Sequence, residues 1–124
     1  MLLALAKQFL DGIERGSSAG VPFTGQCSVR ENGAPLSGCQ ASIEYGEFHR
    51  DVAFRDRRDW IVDAERGVVV VLAYRDVPGG NNPVPYTLLA PVVFSIENGR
   101  IHRVELIEKT APYGLKPGWP AQPS

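Results

Sequence analysis

The first apolar positions, Leu2, Leu5, Ala6, Phe9, Leu10 and Ile13, recur at helical spacing, while Lys7, Gln8, Asp11 and Glu14 fill the opposite face. The spacing predicts one amphipathic helix of about four turns, with Gly16 placed to end it. After a Ser/Gly loop, Val21 to Glu31 reads as a first strand closed by the turn pair Asn32-Gly33. Ser37 and Gln40 have the spacing of a capping box and predict a short helix through Tyr45, with Cys39 and Ile43 on one of its faces.

Beyond this point the period changes. Asp51 to Asp63 reads as extended, Ala64-Glu65-Arg66-Gly67 as a turn, and Val68 to Tyr74 as a β-branched run buried on both faces. Two further runs, Thr87 to Ile96 and Arg100 to Lys109, meet at Glu97-Asn98-Gly99, where Asn-Gly supplies the positive φ angles of a tight hairpin. Pro91 has no N–H to give a ladder, so a bulge or unpaired stretch is expected there. A strand of the length of Asp51–Asp63 would span about 40 Å, whereas a domain of this size has a radius of gyration of about 14 Å. The long hairpin must therefore curl. A bent antiparallel sheet with the N-terminal helix and the short second helix packed in its concave face is an α+β cone, and its hollow is a natural ligand pocket.

Length and charge narrow the classes of function. A chain of 124 residues makes one domain, taken here as 1–111, followed by a Pro/Gly-rich tail, 112–124, packed on the domain or on a partner subunit. Thirteen basic residues balance fourteen acidic ones, and no run of like charge exceeds Arg57-Arg58. The field that gathers polyanions is missing, so no nucleic-acid or membrane-surface partner is expected. No apolar run approaches the ~20 residues that cross a bilayer.

Cys27 and Cys39 are separated by eleven intervening residues, which suits neither a zinc ribbon nor a Cys-x-x-Cys redox pair, and no metal site is expected. The opening residues show neither a charged n-region nor a cleavage site. The two cysteines are accordingly read as reduced, buried thiols of a cytoplasmic protein; a disulfide between them would require an oxidising compartment.

Three segments carry a family resemblance. Val21-Pro22-Phe23 leading to Cys27 and Glu31-Asn32-Gly33 is the first, and Arg55-Asp56-Arg57-Arg58 with Val62 through Gly67 the second. The third runs from Asn98-Gly99-Arg100-Ile101 through Glu105 to Pro112-Tyr113-Gly114 and Trp119. In their order along the chain they resemble an uncharacterised subgroup of the nuclear transport factor 2-like superfamily, which includes SnoaL-like polyketide cyclases, ketosteroid isomerase and scytalone dehydratase. The resemblance implies the cone fold and a homodimer formed through a sheet face. It transfers no catalytic residue, because the Tyr and Asp pattern of ketosteroid isomerase has no counterpart here.

Which polar groups enter the hollow follows from strand parity. If Val52, Phe54, Trp60 and Val62 face inward, Asp56 and Arg58 share that face and set an acid and a base in an apolar row. Such a pair is either a structural ion pair or a working one, with Arg58 polarising a carbonyl and Asp56 moving a proton. A one-residue slip would turn Arg55 and Arg57 inward instead. His49, at the rim, titrates near neutrality without help and is the third catalytic candidate. Glu105 is either an outward residue or a second pocket group, and Glu31 ends its strand near the mouth. Trp60, Tyr74 and Tyr86 would line the wall and stack on an aromatic ligand. His102 is expected to be packed or exposed.

No phosphate loop, dinucleotide fingerprint, nucleophile elbow or His-rich metal spacing is present in the sequence, so no cofactor is expected. The reading that remains is a cofactor-independent lyase, dehydratase or isomerase acting on a small, largely apolar carbonyl or phenolic compound. Its competitor is a non-catalytic module that binds an apolar or aromatic ligand or dimerises.

Overall fold

The structure, a computed structural model, describes residues 2–45, 54–77 and 85–116. Helix α1 spans Leu2–Arg15, and Leu5, Ala6, Phe9, Leu10 and Ile13 form its buried stripe. It stops where Gly16 adopts a φ of 69° and the Ser17 amide turns back to the Gly12 carbonyl at 3.0 Å. Strand β1 (Phe23–Glu31) and strand β2 (Ala34–Gly38) form a hairpin through Asn32-Gly33, followed at once by helix α2 (Cys39–Tyr45).

The remaining strands are β3 (Phe54–Asp63), β4 (Val68–Val77), β5 (Tyr86–Leu89), β6 (Val92–Glu97), β7 (Arg100–Leu106) and β8 (Lys109–Ala111). They lie in the order β2-β1-β7-β6-β4-β5-β8, with β3 paired to β4. The sheet is mixed, because β1 joins β7 in parallel while every other pairing is antiparallel.

Two readings are corrected, and the break expected at Pro91 is found. The short helix begins at Cys39 and not at a Ser37 cap: residues 34–38 are drawn into β2 by pairing with β1, and the Ser37 hydroxyl meets that of Ser42 at 2.6 Å. The run from Thr87 to Ile96 divides into β5 and β6 around Ala90-Pro91, the break the missing proline N–H demands. Cys27 and Cys39 are not free thiols; they are joined as a disulfide that ties β1 to the first residue of α2.

One face of the sheet carries the core. Val29, Val69, Val71, Val92, Phe94, Ile101, Val104 and Leu106 are buried there with the α1 stripe, Cys39 and Ile43. Phe9 of α1 meets Phe94 edge to face at 5.5 Å between centroids. At the β3–β4 turn the chain has no room for a side chain on Gly67: φ is 68°, and a Cβ would lie 2.3 Å from the Ile96 carbonyl oxygen.

Candidate functional site

Along β4 the inward positions are Val69, Val71, Ala73 and Arg75, and the last is 4% exposed. Along β7 they are Val104 and Leu106, and two residues on comes Glu108. Arg75 Nη1 donates to Glu108 Oε2, so a charged pair closes an otherwise apolar inner wall. Register sets Phe54 of β3 and Leu88 of β5 on either side of Arg75. The guanidinium carbon lies 5.4 Å from the centre of the Phe54 ring, a cation–π contact worth up to about 2 kcal/mol when desolvated. Between the charged residues the inner positions are Ala73 and Ala90, both fully buried. Such small side chains leave the long Arg and Glu side chains space to meet.

Two of the sequence candidates share this face. Glu31 is in register with inward Leu106, and half-buried Tyr86 lies two residues before Leu88 on β5. Four others are directed elsewhere. Arg55 lies on the outer face with Tyr74: its guanidinium sits 5.0 Å from the Tyr74 ring centre and grips Asp76 through Nε at 2.7 Å and Nη2 at 3.0 Å. Arg57 turns to α1 and donates to Asp11 at 2.9 Å and Glu14 at 2.8 Å. Glu105 faces outward and accepts the Gly33 amide at 2.7 Å.

Asp56, Arg58 and Trp60 are described in their backbone only, and His49 lies outside the described residues. The parity that grouped Asp56 and Arg58 with Phe54 is reset twice, by register shifts between Arg55 and Arg58 and between Asp59 and Ile61. As a result Asp59, not Arg58, stands opposite inward Val71. Val62 is 46% exposed, since β3 is an edge strand.

The Asp76 clamp extends to the tail. Thr87 Oγ1 donates to Asp76 at 2.6 Å and accepts the Gly114 amide at 2.8 Å, while Arg55 also reaches the Leu115 carbonyl at 2.7 Å. Arg55 is the main cause that holds the Asp76 carboxyl below its ordinary range, with burial opposing and Thr87 assisting. Burial acts to raise Asp11, but hydrogen bonds from Lys7 and Arg57 outweigh it and lower the carboxyl. The Ser18 hydroxyl lowers Glu44. His102 is held between Thr24 Oγ1 at 3.1 Å and Glu97 Oε2 at 3.3 Å. Among the described residues no cluster of three or more His, Cys, Asp or Glu could hold a metal ion. Nor is any helix among them long and apolar enough to cross a membrane.

The sequence reading missed Arg75 and Glu108. A signal for Arg75 was present, since it continues the alternation of Val69, Val71 and Ala73. Glu108 extends the alternation of Val104 and Leu106, but it lies past the end of its strand, where period two no longer assures its facing.

A bent mixed sheet wrapped on an N-terminal helix is a cone-like α+β fold. Solved structures share it. A protein from Sphaerobacter thermophilus is 15% identical, with 86% of this chain and 94% of that one covered at a TM-score of 0.66. A candidate polyketide cyclase from Xanthomonas campestris pv. campestris is 15% identical, with 86% and 88% covered at 0.67. PrhC from Penicillium brasilianum is 20% identical, with 87% and 80% covered at 0.62. At these identities the likeness establishes the fold. No curated protein matches the chain in sequence. Residues 1–107 match the domain of unknown function DUF8021, and the chain belongs to that family.

Proposed function

We propose that the protein is a cofactor-independent acid/base enzyme, a lyase, dehydratase or isomerase, that acts on a small, largely apolar carbonyl or phenolic compound at the inner wall of the cone. The observation that carries this reading is the buried Arg75–Glu108 pair among Phe54, Ala73, Leu88 and Ala90. A charged pair in such a place costs several kcal/mol of desolvation, which apolar side chains of equal size would avoid. Its chemistry suits the reaction: the guanidinium stabilises charge developing on a carbonyl or phenolic oxygen, and the carboxylate takes or returns the neighbouring proton. Tyr86 and Glu31 stand on the same face as wall and rim. His49, Asp56 and Arg58 are retained as further proton-moving and anchoring groups and Trp60 as a wall residue, whereas Arg55, Arg57, Tyr74 and Glu105 are committed to contacts away from the inner wall. That the neighbouring structures include a candidate polyketide cyclase supports small-molecule processing.

The test uses β,γ-unsaturated and β-hydroxy ketones, whose isomerisation or dehydration yields a conjugated enone followed by ultraviolet absorbance. Turnover that Glu108→Gln abolishes and Arg75→Lys weakens supports the proposal. Turnover that is indifferent to both sinks it.

A second reading, a non-catalytic ligand-binding or dimerising module, draws support from how fully Arg55 and Arg57 are engaged in ion pairs. In both readings a second copy of the chain is the proposed partner, seated on the outer sheet face. The disulfide supports an oxidising compartment in place of the cytoplasm expected from free thiols.

A further inference from the structure

We propose that Asn32 is a positioning residue for Glu108, holding its main chain so that the carboxylate is presented to Arg75 on the inner wall. This rests on the reading of Glu108 as the working carboxylate. Parallel pairing of β1 with β7 reaches Glu31 and Leu106, and the Asn32 amide adds a last rung to the Leu106 carbonyl at 2.8 Å. Beyond it β1 turns away into β2, and the chain after Leu106 loses its neighbour. The Asn32 carboxamide replaces that neighbour. Its Oδ1 accepts the Glu108 amide at 2.9 Å and its Nδ2 donates to the Glu108 carbonyl at 3.4 Å, so one side chain serves both main-chain groups of a single residue.

The turn that carries Asn32 is itself fixed. The Gly33 amide donates to outward Glu105 at 2.7 Å, and on the other side the Ile107 amide is held by the Pro91 carbonyl at 3.0 Å. One dipeptide thus grips the segment 105–108 at both ends, through an outer carboxylate and an inner residue's backbone. Turn chemistry alone does not require this. Asn98-Gly99 forms a turn of the same kind, with φ values of 52° and 74° against 49° and 83° for Asn32-Gly33. Among the described residues the Asn98 side chain makes no such bonds. A glutamate is long and flexible, so fixing its carboxylate to within a fraction of an ångström requires that its backbone be fixed first.

The experiment needs no substrate. Asn32→Gly keeps the positive φ and deletes only the carboxamide; Asn32→Asp keeps the acceptor for the Glu108 amide; Asn98→Gly is the control. The Glu108 carboxyl is titrated by carbon NMR, assigned with Glu108→Gln, and exchange of the Arg75 side-chain N–H protons is followed alongside. We expect Asn32→Gly to raise the Glu108 midpoint, as its contact with Arg75 loosens, and to speed Arg75 exchange about tenfold. Asn32→Asp should restore slow exchange in part, and Asn98→Gly should change neither. A folded Asn32→Gly or Asn32→Asp protein with wild-type values for both readouts overturns the proposal. If Asn32→Gly does not fold, Asn32→Asp decides alone, because faster Arg75 exchange in it supports the positioning role. Failure of the enzymatic reading looks different: the Asn32 variants still move both readouts, while Glu108→Gln leaves ketone turnover unchanged.

Discussion

Arg75 and Glu108 are thirty-three residues apart in the chain, and their side chains meet on the inner wall, 4% and 7% exposed. Removing one partner takes this ionic contact from the other, a buried charge. Arg75→Met or Glu108→Leu alone should therefore cost about 3–5 kcal/mol, and the double variant should recover most of that loss. Urea denaturation of the four proteins measures it. A double variant as unstable as the sum of its parents would mean that the two residues are not mutual partners.

Asp76 gives the tail a dependence on acid. Its folded value lies below the ordinary 3.8, so the carboxylate binds fewer protons folded than unfolded. The stability it contributes is complete above the ordinary value and is lost as pH falls through the depressed one. Amide exchange at Gly114, whose proton is held by Thr87, should accelerate over that acid window, and Asp76→Asn should flatten the dependence. A Gly114 amide equally protected in Asp76→Asn at neutral pH would refute the clamp.

The contrast between these two groups explains what could be read in the sequence. Both helices, the Asn32-Gly33 and Asn98-Gly99 turns and the break at Pro91 are set by local chemistry, and all were legible. Strand β2 was not, because Ala34–Gly38 is extended only through pairing with β1. The facing of β3 was lost for a related reason: period two holds between bulges, and two bulges separate Phe54 from Val62. Arg55 shows how the candidate cluster resolved. Its partner Asp76 comes from the return strand and its ring contact from Tyr74, neither of which spacing along β3 can indicate.

The disulfide yields a prediction in stability. Closing the loop between Cys27 and Cys39 restricts the unfolded chain by about 3 kcal/mol at this length. Cys27→Ser/Cys39→Ser should lower the denaturation midpoint correspondingly, and thiol reagents should label neither cysteine of the native protein. Labelling of the folded wild type would show that the bond is absent.

Gly67 should tolerate no replacement. Its φ of 68° strains any L residue, and an added Cβ would press on the Ile96 carbonyl oxygen, whose own residue's amide is anchored to Gly67 at 2.7 Å. Gly67→Ala should cost at least about 2 kcal/mol, read as a loss of melting temperature. Gly99→Ala should cost less, because a Cβ there meets nothing within 4 Å and only the backbone strain remains.

The last prediction concerns the outer face of the sheet. Val68, Val70 and Leu72 of β4 are half-exposed there, Val93 stands beside Val70, and Ile61 on its other side is 45% exposed. A row of aliphatic side chains facing water is poorly accounted for by a lone domain, since the opposite face already supplies the core. Two copies related by a twofold axis can pack this row against itself, and the arrangement closes without leaving a free patch. Val70→Glu would set like charges against each other at the centre of such a contact. Sedimentation velocity should find the wild type as a dimer and Val70→Glu as a folded monomer. Outward Glu105, opposite Val93 in register, lies nearer the rim, so Glu105→Gln should leave the dimer intact. A wild-type protein that sediments as a monomer at micromolar concentration would assign the apolar row to some other partner.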